Sequence, residues 1–386
     1  MSDIRLPRVT ALRSPWRAVA AAFAFNGILL GIWASRIPAI VDRHGLSEAQ
    51  LGLLLLFMGF GALVSFPLAG RLADGLGAVR ITRAVSAAYV FTLLLIALAP
   101  SPAWLGAALF VFGMAHGSMD VVMNTWATEV EKLMKRSVMS SFHAMWSLGA
   151  GLGAATGYAA TRLGWSIELH FTLGSLLSAG LLLPFLSLPW TSATRPHDPN
   201  APIFAIPRGA LVMVGIMALS AAVGEGAVAD WSAIYLADVV GTDLSQAALG
   251  FTVFSVTMVA MRLVVDQLVL RFGPVRMAQA SGVLSASGLL LVVSFATLPM
   301  TLAGFVLMGL GYAAVMPLAF SRAAIDANIP PGQAIASVAT LGYGGLLLGP
   351  PVIGFVAEAS SLRLAFALLA VLALTITVFA RVLRRA

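Results

Sequence analysis

The chain has 386 residues, 60% of them hydrophobic and 10% charged, with a formal net charge of +7 and no cysteine. A soluble domain carries about 25% charged residues, so this composition excludes an ordinary water-solvated fold. The missing cysteine excludes disulfides and thiolate metal sites. The positive balance falls between apolar runs, as anchors facing an anionic leaflet do, and argues for a lipid bilayer rather than nucleic acid as the partner.

Stretches of about 20 apolar residues, enough to cross roughly 30 Å of hydrocarbon, recur along the chain. They lie near 16–37, 48–69, 79–99, 102–130, 137–161, 168–188, 208–236, 246–267, 276–297, 300–322, 332–357 and 361–382. The first carries Arg5, Arg8, Arg13 and Arg17 on its flank but no polar stretch before a cleavage site, so it reads as a spanning helix rather than a secretory signal. The pattern predicts an all-α membrane protein with twelve transmembrane helices. The polar, proline-rich stretch 191–207 divides it into two six-helix bundles, 1–190 and 208–386, as a cytoplasmic linker.

With both termini cytoplasmic, 19 of the 23 basic residues fall on the inner side. Only Arg36, Arg43, Arg162 and Arg363 fall on the other, the asymmetry expected of a multi-pass membrane protein. An internal repeat supports the two halves. Leu46-Ser47-Glu48-Ala49-Gln50-Leu51-Gly52 matches Leu244-Ser245-Gln246-Ala247-Ala248-Leu249-Gly250, and Gly77-Ala78-Val79-Arg80 matches Gly273-Pro274-Val275-Arg276. Ser47 and Ser245 are the expected N-caps of helices 2 and 8.

Polar residues inside apolar spans cost free energy, so they mark candidate sites. On helix 4, His116, Asp120 and Asn124 stand at i, i+4 and i+8 on one face. Asp120 can take up and release a proton as water access alternates, with His116 as relay or a structural hydrogen-bond network as the alternative. His143 and Trp146 on helix 5 share a face with Ser147, and a pair between His143 and Asp120 is feasible by depth. Trp146 is either a platform for a sugar ring or a core residue.

On helix 7, Glu225 lies between Gly224 and Gly226, which suggests a locally broken helix and a second proton-coupling acid. Asp230 is expected near the outer face, pairing with Arg36 as an outer gate. Asn26, Asn124, Trp146, Tyr312 and Tyr343 are the expected substrate-cavity residues, although Asn124 equally serves as a structural tie and the tyrosines as core. Gly342, Gly344, Gly345, Pro350 and Pro351 predict a kinked helix 11. Arg322 and Asp326 are i, i+4 and suggest a salt-bridged anchor. No nucleophile–base constellation, zinc spacing or nucleotide-binding loop stands out, so neither an enzyme nor an ATP-driven pump is expected.

Gly70-Arg71-Leu72-Ala73-Asp74-Gly75-Leu76-Gly77-Ala78-Val79-Arg80 resembles the signature loop between helices 2 and 3 of the major facilitator superfamily. Gly70, Leu72, Asp74, Gly77 and Arg80 match it, while Gly75 and Ala78-Val79 depart from its usual basic residues. Arg262-Leu263-Val264-Val265-Asp266 with Arg271-Phe272-Gly273 looks like the degenerate second copy, which implies gate roles for Asp74, Arg262 and Asp266. Two further stretches look like the YbjJ-type bacterial branch, itself similar to the fucose–proton symporter group. They are Asp120-Val121-Val122-Met123-Asn124 with Ser141–Gly149, and Glu225–Leu236. The resemblance implies a proton-coupled secondary transporter of a small, sugar-like solute in a bacterial inner membrane, with the proton as coupling ion and no other cofactor, and a monomer is the expected form. The alternative is an exporter of amphiphilic drugs or metabolites, which needs a cavity rich in methionine and phenylalanine.

Overall fold

A computed structural model describes residues 14–135, 138–194, 207–326 and 331–384. Arg5, Arg8, Arg13, Arg136, Arg195 and Arg385, and linker residues 195–206, lie outside the described residues. The described secondary structure is helical throughout.

Among the described residues, twelve helices of membrane-crossing length follow in order. They are α1 (Pro15–Ser35), α2 (Glu48–Leu76), α3 (Ala78–Ala97), α4 (Pro102–Met134), α5 (Met139–Arg162) and α6 (Ile167–Leu186), then α7 (Ala210–Val239), α8 (Leu244–Phe272), α9 (Pro274–Phe295), α10 (Leu298–Ala323), α11 (Pro331–Ala359) and α12 (Leu362–Leu383). Eleven are apolar enough to cross a membrane by composition alone. The exception is α5, where His143, Ser147 and a run of glycines dilute the hydrophobic side chains.

Each half repeats one packing scheme. In the first, α1 packs on α5 and α6, and α2 on α4; in the second, α7 packs on α11 and α12, and α8 on α10. The α1–α5 contact depends on missing side chains. A Cβ on Gly27 would lie 2.1 Å from the Trp146 carbonyl oxygen, and one on Gly153 would lie 2.2 Å from that of Ile28. Backbones this close gain dispersion contacts that lipid tails cannot match.

The repeat recurs in backbone geometry. Gly77 ends α2 at φ 89°, and Gly273 ends α8 at φ 82°, both in the region that favours glycine. The turn containing Gly77 defines one end of the bundle, and the turn at Gly45 (φ 58°) defines the other. The superfamily-like stretch is thus mostly helix, since α2 continues to Leu76, rather than a loop beyond residue 69.

The caps differ between the copies. Ser47 and Gln50 form a complete capping box at α2. At α8 the cap is Asp243, whose carboxylate accepts from the Gln246 amide, whereas Ser245 donates its hydroxyl to Asp243. A carboxylate two residues upstream displaces the expected serine.

One further expectation changes. The α7 helix continues through Gly224 and Gly226, because Gly224 makes room for the Tyr312 ring rather than breaking the chain. The α11 helix spans Pro331 to Ala359, with Pro350 and Pro351 inside it.

The halves meet along α5–α8 and α2–α11. At the Gly45 end, Gly52 lies against Pro350 and Pro351, and the Ala49 amide donates to Glu358 Oε2 at 3.3 Å. Deeper in, Gly59 meets Leu347 and the Phe66 ring meets Tyr343 at 5.2 Å.

Candidate solute and proton site

Three polar clusters occupy the boundary between the halves, within the span of the helices. The first centres on Arg262 of α8. Its Nη2 lies 3.5 Å from Glu225 Oε2 on α7, and its Nη1 donates to the Ser147 hydroxyl on α5. The Ser147 hydroxyl in turn donates to the His143 carbonyl at 3.2 Å. One guanidinium therefore joins both halves, through a donor geometry that a lysine could not reproduce. The second carboxylate oxygen of Glu225 is buried without a hydrogen-bond partner, leaving an acceptor for a proton or a solute hydroxyl.

The second cluster centres on Asp120 of α4. Asn124 Nδ2 donates to the Asp120 carbonyl at 2.8 Å and to its Oδ1 at 3.2 Å, fixing the carboxylate. The Tyr343 hydroxyl on α11 faces that carboxylate across the boundary.

The third is a cavity of about 110 Å³ between α1, α2, α4, α7 and α11. His116, Asp230 and Tyr343 supply its polar groups, against a wall that includes Leu30, Met58 and Phe66. It is smaller than the roughly 300–1,000 Å³ of drug-sized pockets, yet large enough for several waters.

The structure changes several placements. Asp230 lines this cavity instead of pairing with Arg36. The Arg36 guanidinium donates to Thr161 Oγ1 and the Trp165 carbonyl, each at 3.1 Å, because α1 ends against the α5–α6 turn. The His116 Nδ1 lies 2.8 Å from the Tyr89 hydroxyl on α3, and its ring stacks on Phe112. His143 meets Phe23 edge-on at 5.2 Å, and among the described residues it makes no hydrogen bond to Asp120.

Asn26 is buried between α1 and α4, donating only a weak 3.8 Å contact to Met123 Sδ, and does not line the cavity. Tyr312 is fully buried core, packed on Gly224. Trp146 is half-buried on α5 and also lies outside the cavity lining. Asp74 lies beside Glu129 and Lys132 at the Gly77 end.

The expected second gate also differs. Asp266 is exposed and unpaired with Arg262 among the described residues, because Arg262 turns inward to Glu225. Arg322 and Asp326 do pair, at 3.4 Å, and Arg322 Nε also donates to the Val382 carbonyl on α12.

Tyr89 and Ser147 as a hydrogen-bond acceptor escaped the sequence reading. A tyrosine buried in an apolar run normally finds a partner for its hydroxyl, which was the available signal for Tyr89.

The Major Facilitator Superfamily profile matches this chain twice, over residues 18–224 and 213–386. The chain belongs to the Major Facilitator Superfamily. It is 52% identical over 374 residues to the uncharacterized transporter y4wD of Sinorhizobium fredii (strain NBRC 101917 / NGR234), covering 97% of this chain and 99% of that protein. It is 32% identical over 347 residues to the membrane protein MosC of Rhizobium meliloti, covering 89% and 84%.

Among solved structures, the nucleoside transporter NupG superposes with a TM-score of 0.71 at 14% identity, over 98% of this chain and 100% of that one. A bacterial homologue of the human lysosomal transporter Spinster superposes with a TM-score of 0.72 at 15% identity, over 95% of each chain. Identity this low shows a shared fold. The chain is a multi-pass membrane transporter of this superfamily, and two matches to one profile agree with its repeated packing scheme.

Proposed function

We propose that the chain moves a small solute by alternating access, coupled to protons, with Asp120 and Glu225 as the coupling carboxylates. The observation that supports this most is the Glu225–Arg262–Ser147 link. Ionisable groups at membrane depth are costly unless paired or used, and these bridge the two bodies that must rock apart. Protonating Glu225 would remove the charge that holds Arg262, and loosening Arg262 would release Ser147 on the opposite half. Asp120 and Tyr343 form a second bridge of the same kind on the α4–α11 side.

The basic-residue asymmetry supports an orientation with the Gly77 end toward the cytoplasm. Contacts between the halves then lie at the outer end and reach the mid-membrane region, which supports a state closed to the outside.

The solute would enter the space lined by His116, Asp230 and Tyr343. Its present volume admits only a small molecule, in keeping with the sugar-like solute implied by the branch resemblance. The apolar share of its wall favours the alternative, an amphiphile that opens the cavity as it binds. A proteoliposome screen of sugars and lipophilic cations under an imposed pH gradient tests both. Gradient-driven flux of a sugar supports the first reading, driven export of the cations the second, and flux indifferent to the gradient contradicts proton coupling.

A further inference from the structure

The two halves end differently at the Gly77 end, and the difference concerns a backbone amide. In the first half, α3 begins after Gly77, and the amide of Val79 donates to the Ser192 hydroxyl at 3.1 Å. Ser192 belongs to the segment after α6, which is strapped down by Glu129. Its carboxylate accepts from Trp190 Nε1 at 2.8 Å and from the Ala193 amide at 3.2 Å. Arg83 adds donations to the Leu186 and Leu188 carbonyls. The equivalent hollow of the first half, lined by Asp74, Glu129 and Lys132, is thus acidic and partly filled by its own chain.

Among the described residues the second half has no such strap. The repeat aligns Val275 with Val79, at the start of α9 after Gly273. Among the described residues the Val275 amide has no acceptor, and α9 has no side-chain cap. The hollow in front of it measures about 740 Å³. Its polar lining is Arg276, Gln279, Ser321, Arg322, Arg381 and Arg384, drawn from α9, α10 and the end of α12, with no acid among the lining residues. Arg322 is occupied by Asp326 and the Val382 carbonyl, whereas Arg276, Arg381 and Arg384 are unpaired among the described residues. Leu270, 88% exposed on α8, and Leu318 give the same hollow an apolar wall.

We infer that this hollow binds a phosphate group, and that the group belongs to an anionic phospholipid. A helix N-terminus with unused amides attracts an anion, and three free guanidinium groups match phosphate oxygens by charge-assisted hydrogen bonds. Basic hollows between helices at a membrane surface hold anionic headgroups, and the wall of Leu270 and Leu318 suits the attached acyl chain. The second half thereby takes from the lipid the acceptor that Ser192 supplies in the first.

The test uses the purified full chain in nanodiscs of phosphatidylcholine alone or mixed with phosphatidylglycerol. Lipid retention is read by native mass spectrometry, and stability by thermal unfolding. The protein should retain phosphatidylglycerol selectively. The triple variant Arg276→Gln, Arg381→Gln, Arg384→Gln should weaken that retention by about a hundredfold, and Arg384→Gln alone by about fivefold, which serves if the triple variant does not fold. Lys132→Gln in the acidic counterpart should leave retention unchanged. Inorganic phosphate titrated into phosphatidylcholine nanodiscs separates the two sources of the anion. Stabilisation of the native chain but not the triple variant by phosphate alone would keep the phosphate site and assign it to a soluble anion. Equal retention by the native chain and the folded variants, or no response to either probe, overturns the inference.

Discussion

Arg262 lies 3.5 Å from Glu225 of its own half and donates to Ser147 of the other, so one side chain holds both bodies together. Removing a partner from a buried ion pair costs about 3–5 kcal/mol, and the 12% and 21% exposure of these side chains places this pair toward the lower figure. Arg262→Met should therefore lower the thermal midpoint and abolish driven flux. The double variant Arg262→Met with Glu225→Gln should recover much of the midpoint without recovering flux. Recovery of both would assign the pair a structural role alone.

The chain contains no cysteine, so introduced pairs report cleanly on which end is closed. Ala49→Cys with Glu358→Cys joins α2 to α11 where the Ala49 amide now donates to Glu358. A short bis-thiol crosslinker should bridge this pair readily without solute and more slowly once a transported solute is present. A solute-independent rate would show that the Gly45 end does not open during transport.

Gly27 and Gly153 face the opposing backbone at 2.1 and 2.2 Å from where a Cβ would stand. Gly27→Ala or Gly153→Ala should each cost about 1–3 kcal/mol as overpacking, visible as a lower thermal midpoint. Gly70→Ala, where a Cβ meets nothing, should be silent.

Asp243 caps α8, and hydrogen bonds from Ser245 and Gln246 hold its carboxyl below its ordinary value of 3.8. A carboxyl lowered on folding contributes its stability above the unfolded value and loses it as pH falls through the folded one. Asp243→Ala should thus cost about 1 kcal/mol near neutral pH and almost nothing in strong acid. A cost that persisted in acid would mean that the carboxylate is not the source.

The helix count, the two halves and the repeat were legible because each is a one-dimensional signal: a run length, a charge asymmetry, a recurring heptapeptide. Arg262 was misplaced for the same reason. Near the end of an apolar run a charge reads as a boundary marker, and only the packing of α5 on α8 shows that it turns inward. Asp230 was likewise assigned to a gate by depth, although rotation about α7 aims it into the cavity. Sequence spacing fixes faces within one helix, as with Asp120 and Asn124, but not which helix another face meets. Tyr343 opposite Asp120 could be found only once α4 and α11 stood together.

The coupling role of Asp120 is the most direct point of attack. In proteoliposomes holding a solute that the native chain moves, Asp120→Asn should retain solute exchange at equal pH while losing flux driven by a pH gradient. Gradient-driven flux at the native level in that variant would contradict proton coupling through Asp120.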